Sequence, residues 1–239
     1  MQLLPPEYAA YIRFFPDYFV SLSRLFLSPV QFLRSLSLGD EIEFKRSLGF
    51  VALSALLGGV ISLPFGQGQV VSSPLLFIGC LGLTVIGTAV FALGIHSALR
   101  ITRGRSTFLR TFIYCNYLSS VALLIMLMFI LLGLSVVMES NIELYKNTLE
   151  HHTLSGERLG ALSARDKFAV LSSVGSDCIG MLIAFVWFSA GWGAFRLANG
   201  FSRARSIVAF LVALLFSVPI LAATVVMALG LAEYVTRST

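Results

Sequence analysis

The sequence has few charged residues for its length. Asp, Glu, Lys and Arg make up 12% of the 239 residues, whereas 57% are apolar, and the mean hydropathy is +0.88. Soluble domains contain about 25% charged residues. No charged residue occurs between Arg46 and Arg100. This shortage excludes an ordinary soluble domain and predicts an integral membrane protein.

Sequence motifs of catalysis are also missing. There is no Walker A loop, Gly-x-Ser-x-Gly elbow, His-Glu-x-x-His pair or dinucleotide glycine fingerprint. The basic residues adjoin apolar segments without an aromatic platform, which argues against nucleic-acid binding. His151 and His152 could bind a metal with Glu150 or Glu157, but neighbouring histidines diverge on a helix, and a solvated loop is the preferred interpretation. We therefore expect no enzyme, cofactor or metal site.

Cysteine is scarce as well. The three cysteines, Cys80, Cys115 and Cys178, all fall in apolar segments. This pattern gives no disulfide framework and favours small packing residues over redox or metal ligands.

What the chain has instead is a series of long apolar blocks. Each exceeds the roughly 20 residues that a membrane-spanning helix needs, and the first is long enough for two crossings, divided by the turn formers from Pro64 to Pro74. We predict an all-α integral membrane protein: an interfacial amphipathic segment over 1–43, then a transmembrane domain over 44–239. The domain is a bundle of five helices, near 44–63, 75–99, 107–137, 167–196 and 205–235, with a long loop over 138–166.

Turn and capping residues mark the ends of these helices. Asp40 with Glu43, and Ser163 with Asp166, are typical of capping boxes. Gly104 and Gly200 suit the left-handed residue that follows a helix, and Ser106 and Ser202 suit the cap of the next helix.

The distribution of Lys and Arg predicts the orientation. Five precede the first helix, none lies in the first loop, four lie in each of the next two loops, three in the fourth loop and one at the C-terminus. A cytoplasmic N-terminus places twelve inside and five outside, which satisfies the positive-inside rule. The C-terminus is then periplasmic. The inner loops present arginines to lipid headgroups: Arg100, Arg103, Arg105, Arg110, Arg196, Arg203 and Arg205.

The N-terminal segment has an amphipathic pattern. Phe15, Phe19, Leu22 and Phe26 share one helical face, and Pro29 suits the start of a second short helix. Two interpretations stay open: the helices lie in the headgroup layer with aromatics inserted, or this face packs on the bundle.

Asp177 lies well inside the fourth predicted span, with Ser173, Ser176 and Gly180 nearby. A proton or ion relay is the functional interpretation; a structural carboxyl group that hydrogen-bonds to a neighbouring helix is preferred. His96, one turn before the arginines, could titrate near neutral pH, but a satisfied structural histidine is preferred.

Small residues predict close helix packing rather than a substrate path. In the second helix these are Gly79, Gly82, Gly87 and Gly94, and in the fourth they include Gly180.

Several of these features resemble a known family. They are the run Phe26-Leu-Ser-Pro29-Val-Gln-Phe-Leu-Arg34, then His96, Gly104, Thr107, Phe108, Tyr117 and Trp187, and the turn Ser202-Arg-Ala-Arg205. Together they are similar to the prokaryotic branch of the Yip domain family, relatives of the Ypt/Rab-interacting membrane proteins. The resemblance covers about 25–231 and implies a five-helix bundle with a cytosolic N-terminus. The acidic Asp-Leu-Tyr-Gly-Pro motif of eukaryotic members is missing, so binding to Rab-type GTPases is not carried over and a bacterial inner membrane is favoured.

Two classes of function remain. The first is a non-catalytic scaffold that binds another membrane protein or itself and organises proteins or lipids. The second is a transporter, channel or lipid-translocating protein with a polar path through Asp177 and His96. The scaffold is preferred, because a pore normally shows more polar groups within the membrane.

Overall fold

A computed structural model describes residues 6–36, 41–62, 74–141, 163–217 and 219, and the regular secondary structure in these ranges is helical. No strand occurs in these ranges. The helices are α1 (Pro6–Leu27), α2 (Pro29–Ser35), α3 (Glu41–Ser62), α4 (Pro74–Ile101), α5 (Phe108–Ser140) and α6 (Ala164–Asn199), followed by α7, described over 203–217.

Four of these helices contain stretches long and apolar enough to cross a membrane: Glu41–Ser62, Thr84–Ile101, Phe108–Ser140 and Ala164–Asn199. A helix satisfies its backbone hydrogen bonds internally, as hydrocarbon demands. The chain is therefore a multi-pass helical membrane protein. Of the fifth predicted span, 205–235, only the part in α7 and residue 219 lie among the described residues, and most of the loop over 138–166 falls outside them.

The segments between α4 and α5 and between α6 and α7, with the arginines in or beside them, are called the arginine loops. The helix before each of them is followed by a residue with a left-handed backbone. At the end of α6 this residue is Gly200, with φ of 66°, and the N–H of Phe201 donates to the Arg196 carbonyl at 3.0 Å. The prediction for Gly200 is confirmed. After α4, however, the left-handed residue is Arg103, with φ of 61°, so the prediction for Gly104 is wrong by one residue.

The predicted N-caps are confirmed in two places and wrong in a third. Ser163 accepts from the Asp166 N–H at 3.2 Å and donates to its carboxylate at 2.8 Å. Ser202 accepts from the Arg205 N–H at 3.4 Å. At α5 the cap is Thr107, which accepts from the Arg110 N–H at 3.3 Å, and not Ser106. Asp40 lies outside the described residues.

The chain divides into two compact units. The first comprises Met1–Ala55, Leu75–Val121 and Phe188–Thr239, and the second comprises Leu56–Pro74 and Ala122–Trp187.

In the first unit, α1 and α2 pack against the longer helices. Tyr18 and Leu25 of α1 are buried, and the Tyr18 hydroxyl lies 2.9 Å from the Ser54 hydroxyl of α3. In α2, Leu33 is buried. The face predicted to be apolar is a neighbouring one: Phe19 and Phe26 stay exposed. The interpretation in which this face packs on the bundle is therefore wrong for Phe19 and Phe26, because a neighbouring side of α1 is the one that packs. Insertion of the aromatics into the headgroup layer stays a prediction.

In the second unit, α5 and α6 approach closely through small residues. A Cβ at Gly133 would lie 2.9 Å from the Cα of Ser173, so the two backbones nearly touch there. Towards the end of α5, Val137 and Ala169 form a buried apolar contact. Because apolar burial is not a driving force between helices in lipid, such close van der Waals contact stabilises the pair.

Candidate functional site

In the first unit, α3 and α5 are joined by buried polar contacts. Glu43 and Tyr117 are 5% and 4% exposed, and the Tyr117 hydroxyl donates to the Glu43 carboxylate at 2.9 Å. The Arg46 guanidinium lies 3.6 Å from the same carboxylate. One helical turn along α3, Asn116 Nδ2 donates to the Ser47 hydroxyl at 3.0 Å. These contacts fix the register of the two helices, because a shift would leave buried polar groups without partners.

His96 belongs to a hydrogen-bonded chain at the end of α4. Arg100 Nε donates to His96 Nε2 at 3.4 Å, and His96 Nδ1 lies 3.4 Å from the Thr111 hydroxyl. A guanidinium group can only donate, so Nε2 must accept. The network therefore assigns a neutral imidazole with its proton on Nδ1, directed at Thr111. This contact joins α4 to α5.

Asn199, the last residue of α6, connects the two arginine loops. Its Oδ1 accepts from the Ser106 N–H at 2.9 Å, and its Nδ2 donates to the Phe195 carbonyl at 2.8 Å. A Cβ at Gly104 would overlap Asn199 Oδ1 and lie 2.8 Å from the Leu99 carbonyl oxygen. Gly104 is thus required by a close approach and not by a left-handed backbone.

The arginines of the two loops differ in exposure. Arg110 and Arg196 are half-buried; the exposed ones are Arg100, Arg103, Arg105, Arg203 and Arg205. Among the described residues, the ion pairs are Lys45 with Glu41 at 2.7 Å and Arg46 with Glu43 at 3.6 Å. No described carboxylate therefore pairs with a loop arginine, and the loops carry a net positive charge.

The predicted polar residues of α6 lie in the second unit, along its contact with α5. The Ser176 hydroxyl donates to the Phe129 carbonyl at 2.7 Å, Ser173 lies against Gly133, and a Cβ at Gly180 would lie 2.5 Å from the Phe129 Cβ. Asp177 is half-buried. Its Oδ1 is buried and accepts no hydrogen bond from the described part of the chain.

The predicted packing glycines of α4 have varied surroundings. Gly94 is buried and Gly87 half-buried, whereas a Cβ at Gly82 would meet no atom within 4 Å. The surroundings of Gly79 lie outside the described residues, as do His151 and His152.

The described cysteines are free thiols. Cys115 is buried and Cys178 is exposed; the side chain of Cys80 lies outside the described part. No group of three His, Cys, Asp or Glu residues that could hold a metal occurs within the described ranges.

The structure brings together residues that sequence reasoning missed. From the sequence, Asn199 is typical of a turn former before Gly200. Glu43 is typical of the residue that partners an N-cap at Asp40. Tyr117 and Asn116 are polar residues inside an apolar run, which was the available signal for a contact between helices. Trp192 is the other omission: its indole Nε1 donates to the carbonyl and hydroxyl oxygens of Ser206, at 3.2 and 3.1 Å.

In comparisons with known proteins, no family model, curated protein or solved structure matches this chain.

Proposed function

We propose that this protein is a non-catalytic membrane scaffold, which binds a second copy of itself or another membrane protein and organises the surrounding proteins or lipids. The observation that carries this proposal is an exposed face of α6. In the apolar stretch of α6 that could cross the membrane, 17% of the residues are buried. The corresponding share for α4 is 33%. This helix therefore leaves one face exposed to lipid or to a partner.

The exposed face has the spacing of a helix-packing seam. Phe168 and Leu171 are each 70% exposed and Leu182 is 63% exposed, and a Cβ at Gly175 would meet no atom within 4 Å. Alternating steps of three and four residues continue the seam through the exposed thiol of Cys178 to Phe185. Such spacing keeps side chains on one helical face. Small residues at its centre allow a partner's backbone to approach.

Cross-linking from this seam tests the proposal. A chain whose sole cysteine is Cys178, made with Cys80→Ser and Cys115→Ala, should form a disulfide-linked dimer in oxidised membranes if the partner is a second copy. A photo-reactive phenylalanine analogue at position 171 should give a protein adduct with either kind of partner. The matched control places the same analogue at Met128, which is 64% exposed on α5. Lipid adducts alone at position 171 would argue against a scaffold.

The proposal includes membership of the prokaryotic Yip domain branch and a place in a bacterial inner membrane, with the N-terminus cytoplasmic and the C-terminus periplasmic. Its support is the set of residues that carry the resemblance, together with the distribution of Lys and Arg. The segment Phe26–Arg34, which opens that set, contains the short helix α2 apart from its last residue, and Leu33 in this helix is buried.

A specific observation favours a second candidate, a transporter, channel or lipid-translocating protein. A carboxylate in hydrocarbon costs roughly 2.5 to 3.5 kcal/mol on insertion scales, yet Asp177 Oδ1 has no hydrogen-bond partner among the described residues. Flux experiments in liposomes separate the two functions. Proton, ion or lipid flux that is lost in Asp177→Asn, but retained in Ser172→Ala on the same helix, would replace the scaffold by a transporter. A scaffold gives no flux with either chain.

A further inference from the structure

A groove lies between α6 and α7 in the first unit. It has a volume of about 130 Å³ and is lined by Ser189, Trp192, Ser206, Ile207 and Phe210. A volume below the roughly 300 to 1,000 Å³ of small-molecule pockets excludes a drug-sized ligand. It suits a segment of one hydrocarbon chain.

The floor of the groove is held in place by polar and aromatic contacts. Trp192 is 8% exposed, and its indole N–H donates to Ser206. Its ring lies 5.1 Å from the Phe210 ring and 5.1 Å from the Phe195 ring, measured between centroids. The indole N–H of Trp192 and the oxygens of Ser206 are therefore hydrogen-bonded to each other. The remaining surface is mainly apolar and largely pre-formed.

Two arginines extend the faces that line the groove. On α6, Trp192 and Arg196 are four residues apart, and on α7, Arg203 and Ile207 have the same spacing. Residues four apart lie one above the other on a helix. The end of α6 and the start of α7 meet at the turn over 200–202. Arg196 and Arg203 therefore lie at the loop end of the groove, one helical turn beyond its lining.

No described carboxylate forms an ion pair with either arginine. An apolar groove with two arginines at its loop end, neither of them paired with a described carboxylate, matches a ligand with a hydrocarbon tail and an anionic head. In a membrane, the molecule of that chemistry is an anionic phospholipid. We propose that the groove between α6 and α7 is a binding site for a phospholipid with an anionic headgroup, its acyl chain against Trp192 and its phosphate at Arg196 and Arg203.

This site requires that the chain is embedded in a membrane, and it does not depend on the partner binding proposed above. A zwitterionic phospholipid also carries a phosphate, but its ammonium group offsets the attraction to the arginines. Selectivity for net negative charge is therefore the property that distinguishes this site from an ordinary lipid contact.

Fluorescence quenching of Trp192 tests the proposal. The chain has two tryptophans, Trp187 and Trp192, so Trp187→Phe leaves Trp192 as the sole reporter. The protein is reconstituted into vesicles of phosphatidylcholine with increasing fractions of brominated phosphatidylglycerol or brominated phosphatidylcholine. We expect the anionic lipid to bind beside Trp192 roughly thirtyfold more tightly than the zwitterionic lipid, since each of the two arginines contributes about 1 kcal/mol near a membrane surface and about 1.4 kcal/mol corresponds to a factor of ten.

Charge variants in the same background locate the selectivity. Arg196→Gln with Arg203→Gln should reduce the preference to about one, and the lysine pair Arg196→Lys with Arg203→Lys should keep most of it. Arg203 is exposed, so the single variant Arg203→Glu provides a second readout that avoids the half-buried Arg196, with an expected preference below that of the parent chain. The matched control, Arg103→Gln with Arg105→Gln, removes two exposed charges from the other loop and should leave the preference unchanged.

Three results would overturn the proposal. The first is equal quenching by the two brominated lipids in the parent chain. The second is a preference that falls as much in the control pair as in the Arg196 and Arg203 pair, which would indicate a general surface charge. The third is loss of the preference in millimolar inorganic phosphate at constant ionic strength, which would indicate a site for free phosphate. Dimer formation through Cys178 is measured separately, so failure of one proposal leaves the other intact.

Discussion

At Gly104, the identity of one residue is set by a side chain from another helix. The backbone there is not left-handed, so other residues could adopt its conformation. The space for a Cβ is occupied by Asn199 Oδ1 and the Leu99 carbonyl. That Asn199 oxygen also accepts the Ser106 N–H, and it cannot move away without breaking the bond.

We predict that Gly104→Ala destabilises the protein by about 1 to 3 kcal/mol, the typical cost of overpacking a filled site. The measurement is the free energy of unfolding in detergent, followed by circular dichroism. Gly175→Ala is the matched control, because a Cβ there meets no atom within 4 Å and alanine favours a helix by up to about 1 kcal/mol. Equal stability of the two variants would contradict the assigned close approach.

At the scale of the element, α1 is attached to the bundle by one side only. Tyr18 and Leu25 form the buried side, while Phe19 and Phe26 are exposed on its neighbour. Burial raises the pKa of Tyr18 above its ordinary value of 10.0, and the hydrogen bond with Ser54 offsets part of this effect. The neutral hydroxyl is therefore the form that the packed helix favours.

Alkaline pH should weaken the attachment of α1. Because the pKa of Tyr18 is higher in the folded state, its contribution to stability is fully present below pH 10 and is lost as pH rises through the folded pKa. Ultraviolet titration of tyrosinate checks this prediction: the spectrum of the parent chain minus that of Tyr18→Phe should have its midpoint above pH 10. A midpoint at or below pH 10 would show that Tyr18 is solvated and that α1 is not docked there.

The helices and their ends show which structural features could be predicted from the sequence. Long uncharged blocks and capping residues such as Ser163 and Ser202 are local signals, so they predict helices and several of their ends. Arg103 takes the left-handed position, whereas Gly104 is needed because a Cβ there would overlap Asn199, a partner 95 positions along the chain. Likewise, the pattern of α1 places Phe19 and Phe26 on the predicted apolar face, whereas tertiary packing buries Tyr18 and Leu25 of the neighbouring side. The pairing of Glu43 with Tyr117 depends on helix register, which no local pattern specifies.

At the scale of the whole molecule, arginines lie in or beside the loops between α4 and α5 and between α6 and α7, and no described carboxylate pairs with them. Positive charge in a short loop beside a membrane span resists transfer across the membrane during insertion. The two loops are also connected through Asn199 and Ser106, which requires both to lie on the same side.

Reporter fusions test the predicted orientation. A reporter that is active only in the periplasm should be silent when fused at Gly104 and active when fused after Thr239, because the arginine loop is predicted to stay inside and the predicted five spans place the C-terminus outside. Fusion at Gly200 is the control and should match Gly104. Activity at Gly104 would reverse the orientation, and unequal results at Gly104 and Gly200 would contradict their shared side.

The amide of Asn199 has a mechanical consequence. By holding Ser106, it closes a ring of covalent chain and one hydrogen bond that runs through α5 and α6. The turn between α4 and α5 and the turn between α6 and α7 are thereby mechanically coupled. A pull applied to the start of α7 is transmitted through Asn199 to the start of α5, so the two turns resist extraction from the membrane together.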